Sequence, residues 1–168
     1  MSRIHVPVTL RWSDIDAYGH VNNAEMLRLL EEVRIRAFWA DESGDHAPDG
    51  QHHDASNDGH RTAVISGGPG AETITLIAGQ QIEYLAPAPY VRKPLDVQLW
   101  IGRLGGASIE ICYEVRSPIS DGEQRVYARA TTTLVLVDAA SERPRRLTER
   151  ERDAWSEYVE EPVKFRQR

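Results

Sequence analysis

Residues 13–34 read SDIDAYGHVNNAEMLRLLEEVR, and the parsing of this stretch decides the fold. Its first half is turn chemistry: Ser13, Asp14, Asp16 and Gly19 interrupt any regular pattern. Its second half is helical. Asn22 or Asn23 suits the N-cap, because an asparagine side-chain oxygen can accept a bond from an orphan backbone N–H. From there Met26, Leu30, Val33 and Ala37 keep helical spacing, and Leu27 and Phe38 widen the apolar stripe. The pattern predicts a helix ending near Ala40. Glu32 and Arg36 stand four apart, in the favourable order for a helix ion pair. Upstream, Ile4 to Trp12 (IHVPVTLRW) alternates, with Ile4, Val6, Val8 and Leu10 on one face. Pro7 removes a ladder donor, so this strand is expected at a sheet edge or irregular at that point. Asp14 and Asp16 lie one strand period apart, and on an extended chain both would face the same side.

Beyond the helix the character changes. Asp41 to about Glu72 is polar and aperiodic, which predicts a long loop with a brief extended piece near Val64. Four strands follow: TITLIAGQQIEYLAP (73–87), LDVQLWIGRL (95–104), ASIEICYEVRS (107–117) and RVYARATTTLVLVD (125–138). The third alternates most cleanly, with Ile109, Ile111, Tyr113 and Val115 against Glu110, Cys112, Glu114 and Arg116. LTERERDAWSEYV (147–159) predicts a closing helix, whose Thr148 and Glu151 match a capping box. No helices separate the later strands, so βαβ crossovers are excluded and the class is α+β.

The totals agree. A chain of 168 residues suits one domain, and 40% hydrophobic content is enough for a core. A formal net charge of −6 argues against general nucleic-acid binding, which needs a basic face. The single cysteine, Cys112, cannot form an intrachain disulfide, and this usage fits a cytoplasmic setting. No segment approaches a membrane span or a signal peptide.

The motif Asp14, Asp16, Gly19, His20, Val21, Asn22, Asn23, Ala24, followed by Glu32 and Arg34 on the helix, resembles the start of the long helix in hotdog-fold acyl-CoA thioesterases of the 4-hydroxybenzoyl-CoA thioesterase family. The later strands and the TTTLVLVDAASERPRRLTE stretch agree in outline; residues 41 to about 73 do not take part. The resemblance implies a hotdog fold, a curved antiparallel sheet wrapped around one long helix. It also implies a homodimer or dimer-based tetramer joined sheet to sheet, with active sites at the subunit interface. The form GHVNNA is closer to members acting on fatty acyl thioesters than to the aromatic specialist.

Thioester hydrolysis needs a nucleophile or base at the carbonyl carbon and donors for the carbonyl oxygen. The resemblance makes Asp16 the catalytic carboxylate, acting through a mixed anhydride or by activating water, with Asp14 in a supporting role. The helix N-terminus supplies bare amides around Asn22 and Asn23 for an oxyanion. Gly19 lets the chain turn. His20 either bonds substrate or a neighbouring carboxylate, or is a satisfied histidine. Glu32 and Arg34 hold the helix to its surroundings.

Coenzyme A, expected as part of the substrate with no further cofactor, carries phosphates that call for local cations. Arg103 beside Gly105 and Gly106 is the first candidate, with Ser108 adding a hydroxyl. Arg92, Lys93 and the cluster Arg143, Arg145 and Arg146 are others. His46, His52, His53 and His60 lack the rigid frame of a metal site and read as solvated loop residues. The alternatives are hydrolysis of acyl carrier protein thioesters and a non-catalytic acyl-CoA binder on the same fold. Hotdog hydratases are disfavoured, since their Asp/His segment is not visible.

Overall fold

The structure, a computed structural model, describes residues 2–40 and 60–167. The chain runs β1 (Ile4–Val8), α1 (Asn23–Phe38), β2 (Thr73–Tyr84), β3 (Leu95–Leu104), β4 (Ser108–Arg116), β5 (Val126–Asp138), β6 (Arg143–Pro144) and α2 (Glu149–Ser156). The strands form one antiparallel sheet in the order β1-β3-β4-β5-β2, with β6 also paired to β5. Pro7 sits on edge strand β1, where its missing N–H leaves the β3 ladder workable.

The alternation read from the sequence separates the two sheet faces. Val6, Val97, Leu99, Ile111, Tyr113 and Leu134 turn inward, against Met26, Leu30, Val33 and Phe38 of α1. Register shifts at Ile77/Gly79, Ile101/Arg103 and Val115/Arg116 bend the strands, and the curled sheet holds the helix in the α+β hotdog arrangement. α1 stops at Phe38 rather than near Ala40. Trp39 turns extended, and Ala40 donates its N–H to the Ile65 carbonyl. That contact is the short extended piece expected near Val64. The rest of the predicted polar loop lies largely outside the described residues.

The outer face is partly covered by the chain after α2. This helix ends at Ser156, short of the expected Val159, because the backbone then runs beside β3: Ile101 donates to Tyr158 O, and Glu160 donates back to Ile101 O. Arg3 stacks 3.9 Å from the Trp100 ring and pairs with Glu160 and Glu114. Cys112 is buried on this face, and burial pushes its thiol up to about 11. A thiol protonated at neutral pH is a poor nucleophile. No described helix is long and apolar enough to cross a membrane.

Candidate active site

A 3-10 turn at Trp12–Asp14 breaks the extended chain before the two acids, so strand periodicity does not govern them. Asp14 points inward and is fully buried. Its carboxylate accepts from the Arg11 N–H (2.7 Å), from Arg28 Nη2 (2.7 Å) and from Arg11 Nη2 (3.3 Å). Desolvation opposes its charge, but the bonds from Arg11 and Arg28 outweigh it and hold the carboxyl below its ordinary value. Both of its oxygens are committed to holding the loop against α1.

Asp16 is in a different position. An Ile15–Val21 bridge closes a tight loop around it, with Asp16 N donating to His20 O and Gly19 N donating to Asp16 O. Gly19 makes the loop possible by taking φ +78°, a region that side chains avoid. Asp16 Oδ1 accepts from the amides of Tyr18 (2.8 Å) and His20 (3.1 Å). Oδ2 has no hydrogen-bond partner among the described residues, and the side chain is half-buried. The loop therefore fixes one carboxylate oxygen and leaves the other available.

The helix N-terminus follows directly. Asn22 is the N-cap, its Oδ1 accepting from Ala24 N at 2.9 Å. The Asn22 amide is not an open donor as expected, because it is spent on Asp14 O at 2.8 Å. The amides of Asn23 and Glu25 have no acceptor among the described residues. These two N–H groups, at the positive end of a 16-residue helix, are the available anion donors. His20 holds the loop through its backbone, bridging to Pro89, and its ring makes no hydrogen bond among the described residues.

Arg103, Gly105 and Ser108 do not join this constellation within the protomer. Gly105 N donates to Ser108 O, Arg152 of α2 donates to Gly105 O, and Leu147 N donates to Gly106 O. α2 in turn packs Trp155 on Phe38, at the far end of α1. The hairpin is thus removed from the Asp16 loop by roughly the length of that helix, about 24 Å. Arg145 is also committed elsewhere, paired to Glu151 at 2.6 Å. The loop beside the site is the one that carries Ala88 and Tyr90: Val21 N donates to Ala88 O, and Tyr90 meets Trp12 edge-on at 5.2 Å. Arg92 follows on this loop, whereas Lys93 turns its ammonium to the Ser120 hydroxyl at 3.1 Å.

Two participants escaped the sequence reading. Arg28 ties Asp14 to Glu25 and Glu32, so Glu32 pairs backward with Arg28, while Arg36 donates instead to Pro7 O. The Glu25/Arg28/Glu32 spacing was a visible signal for the helical part; the Asp14 link was not. Tyr84, at the end of β2, donates its hydroxyl to Asn23 O. Of the histidines weighed as metal ligands, His46, His52 and His53 lie outside the described residues. Among the described residues no group of three ligating side chains comes together.

A family model described as the thioesterase-like superfamily matches residues 10–162. The chain belongs to that superfamily. Its fold is shared with solved structures along nearly its whole length. A Pseudomonas aeruginosa protein, PA5185, is 22% identical with TM-score 0.67, over 95% of this chain and 94% of the other. YbaW of Escherichia coli, named a probable thioesterase, is 23% identical with TM-score 0.62, over 93% and 98%. A Xanthomonas campestris protein, provisionally named an acyl-CoA thioesterase, is 25% identical with TM-score 0.54, over 81% and 93%. No functionally curated protein matches the chain. For this thioesterase-like chain, thioester hydrolysis is the general chemistry that the loop and helix start must be measured against.

Proposed function

We propose that the chain hydrolyses acyl-CoA thioesters to the free acid and coenzyme A, in the manner of the 4-hydroxybenzoyl-CoA thioesterase family. The observation that carries this reading is Asp16: one oxygen is fixed by two loop amides, the other is free, and the loop opens onto a helix with two bare N–H groups. The amides of Asn23 and Glu25 receive charge as it develops on the thioester oxygen. Asp16 then either attacks the carbonyl carbon, expelling the coenzyme A thiolate to leave a mixed anhydride that water cleaves, or takes a proton from the attacking water. Arg92, four residues beyond Ala88, is better placed than Arg103 to meet coenzyme A phosphates at a site within one protomer.

The reading includes a homodimer. β2 pairs on one side with β5, and its outer edge has no strand among the described residues. Ile74, Leu76 and Ile77 are exposed there. A long apolar edge strand is a template for pairing with another chain.

The test is Asp16→Asn, with free-thiol detection over a panel of acyl-CoA substrates. Asparagine keeps the Oδ1 acceptor for Tyr18 and His20, so the loop should hold. Turnover should fall by about 100-fold or more, as when a reacting group is removed. Near-normal turnover would remove Asp16 from the mechanism.

A further inference from the structure

Arg34 is a buried cation that the chemistry above does not use. It lies on α1 with only 5% of its surface exposed, and no carboxylate reaches it among the described residues. Its one hydrogen bond runs from Nη1 to the Tyr113 hydroxyl at 3.3 Å, and its Nε is buried with no partner among the described residues. Tyr113 does not balance the charge. Burial pushes its phenol above the ordinary value, so it is neutral at physiological pH. An uncompensated buried guanidinium is strongly disfavoured, and an unmet buried N–H adds to that cost.

The same side chain lines a cavity of about 380 Å³, together with Glu31, Ile35, Trp39, Thr75 and Ile77. That volume is within the range of small-molecule sites, roughly 300–1,000 Å³. The walls are mixed, with Ile35, Trp39 and Ile77 supplying apolar surface, and Glu31 is solvent-exposed at the rim. The cavity lies along the seam between α1 and β2. At the other end of the seam Tyr84 of β2 bonds Asn23 O, next to the Asp16 loop. Arg34 is eleven residues beyond Asn23, so it stands about 16 Å along the helix from the proposed oxyanion site.

We propose that this cavity receives the distal part of the acyl group, and that Arg34 selects acyl chains carrying an oxygen acceptor there, whether carboxylate, keto or hydroxyl. The proposal rests on the thioesterase reading for the substrate and on the cavity for the selectivity. An unsubstituted chain would leave Arg34 Nε unmet. An oxygenated chain would complete it at a guanidinium that is itself buried, where polar mismatch is strongly penalised.

Two experiments test it. The first compares matched medium-chain acyl-CoA thioesters that are unsubstituted, ω-hydroxylated or ω-carboxylated. At least one oxygenated substrate should exceed the unsubstituted one in kcat/KM by about tenfold or more, the value of one good bond to a charged group. Arg34→Met, which keeps the side-chain length without the charge, should bring that ratio to unity or below. A wild-type preference for the unsubstituted chain at every length, or a ratio unmoved by Arg34→Met, overturns the proposal. The second needs neither turnover nor a variant: a free medium-chain carboxylate should shift the Arg34 Nε–H resonance in the NMR spectrum of the wild-type protein. No shift at saturating carboxylate overturns the proposal even if thioesters are hydrolysed. A shift without hydrolysis of any thioester overturns Arg34's role in substrate choice and the thioesterase reading together, leaving an anion-binding cavity.

Discussion

Asp14→Asn is the sharpest test of how the two acids divide their work. Asparagine can present one oxygen to the Arg11 amide or to Arg28, but its NH2 then faces the other donor. At least one charge-assisted bond is lost, about 1.5–3 kcal/mol. Removing one partner of a fully buried ion pair costs about 3–5 kcal/mol. Arg28 is 32% exposed and keeps Glu25 and Glu32, which lowers the expected loss. We expect about 2–3 kcal/mol, which in a chain of this size is a fall in Tm of about 5–10 °C. Differential scanning calorimetry at neutral pH reads it directly. The pH dependence gives a second readout. Asp14 is held below its ordinary value, so its contribution is complete above the unfolded pKa of about 3.9 and is lost as pH falls through the lower folded value. The Tm gap between wild type and variant should be constant from pH 8 to about 5 and should close below about 4. A neutral-pH change within about 1 °C, or a gap that closes as pH rises, would refute the assignment of Asp14 to the frame of the site.

Asn22→Ala removes the cap on α1 and should cost about 1 kcal/mol, read as a fall in Tm of about 2–4 °C with circular dichroism at low temperature unchanged. Arg3→Ala breaks the pairs to Glu114 and Glu160 and the stacking on Trp100, so the segment after Ser156 should be cut faster in limited proteolysis. Protection equal to wild type would show that the backbone bonds to Ile101 hold this segment alone. Light scattering should give a dimer mass at micromolar concentration, and Leu76→Glu on the outer edge of β2 should shift it toward monomer. A monomeric wild type would remove the dimer from the reading.

Where an expected feature depended on a local repeat, it reappears in the structure. Alternation in residues 109–115 gave the correct faces of β4, and Thr148 and Glu151 form the reciprocal capping box their spacing suggested. Helical spacing allows Glu32 two partners, and the expected one, Arg36, is not the one it takes: it pairs with Arg28. The choice was made elsewhere in the chain: Asp14 draws Arg28 to the helix start, while the Pro7 carbonyl on β1 takes Arg36. The place of the Arg103–Ser108 hairpin, offered for coenzyme A phosphates, was not legible for a similar reason. A turn sequence states how the chain reverses, but strand order states at which end of α1 it does so, and that order comes from pairings between distant segments. Arg34 was legible as helical and not as buried, since its burial depends on Tyr113 beneath it, 79 positions away.

The two aspartates show the limit within a single motif. Spacing by two puts residues on one face only while the backbone stays extended. The 3-10 turn at Trp12–Asp14 ends that condition, and the loop closed by Ile15 and Val21 reverses the chain immediately afterwards. Asp14 is carried inward, where two arginines reward its charge. Asp16 is held in the mouth of the loop, where its own backbone amides occupy a single oxygen. A buried carboxylate with both oxygens bound cannot attack or take a proton without loosening its own support. One with a fixed oxygen and a free one can do either and stay in place. On the proposed reading that difference makes Asp16 the reactive member of the pair, and it arises from backbone conformation between two chemically identical side chains.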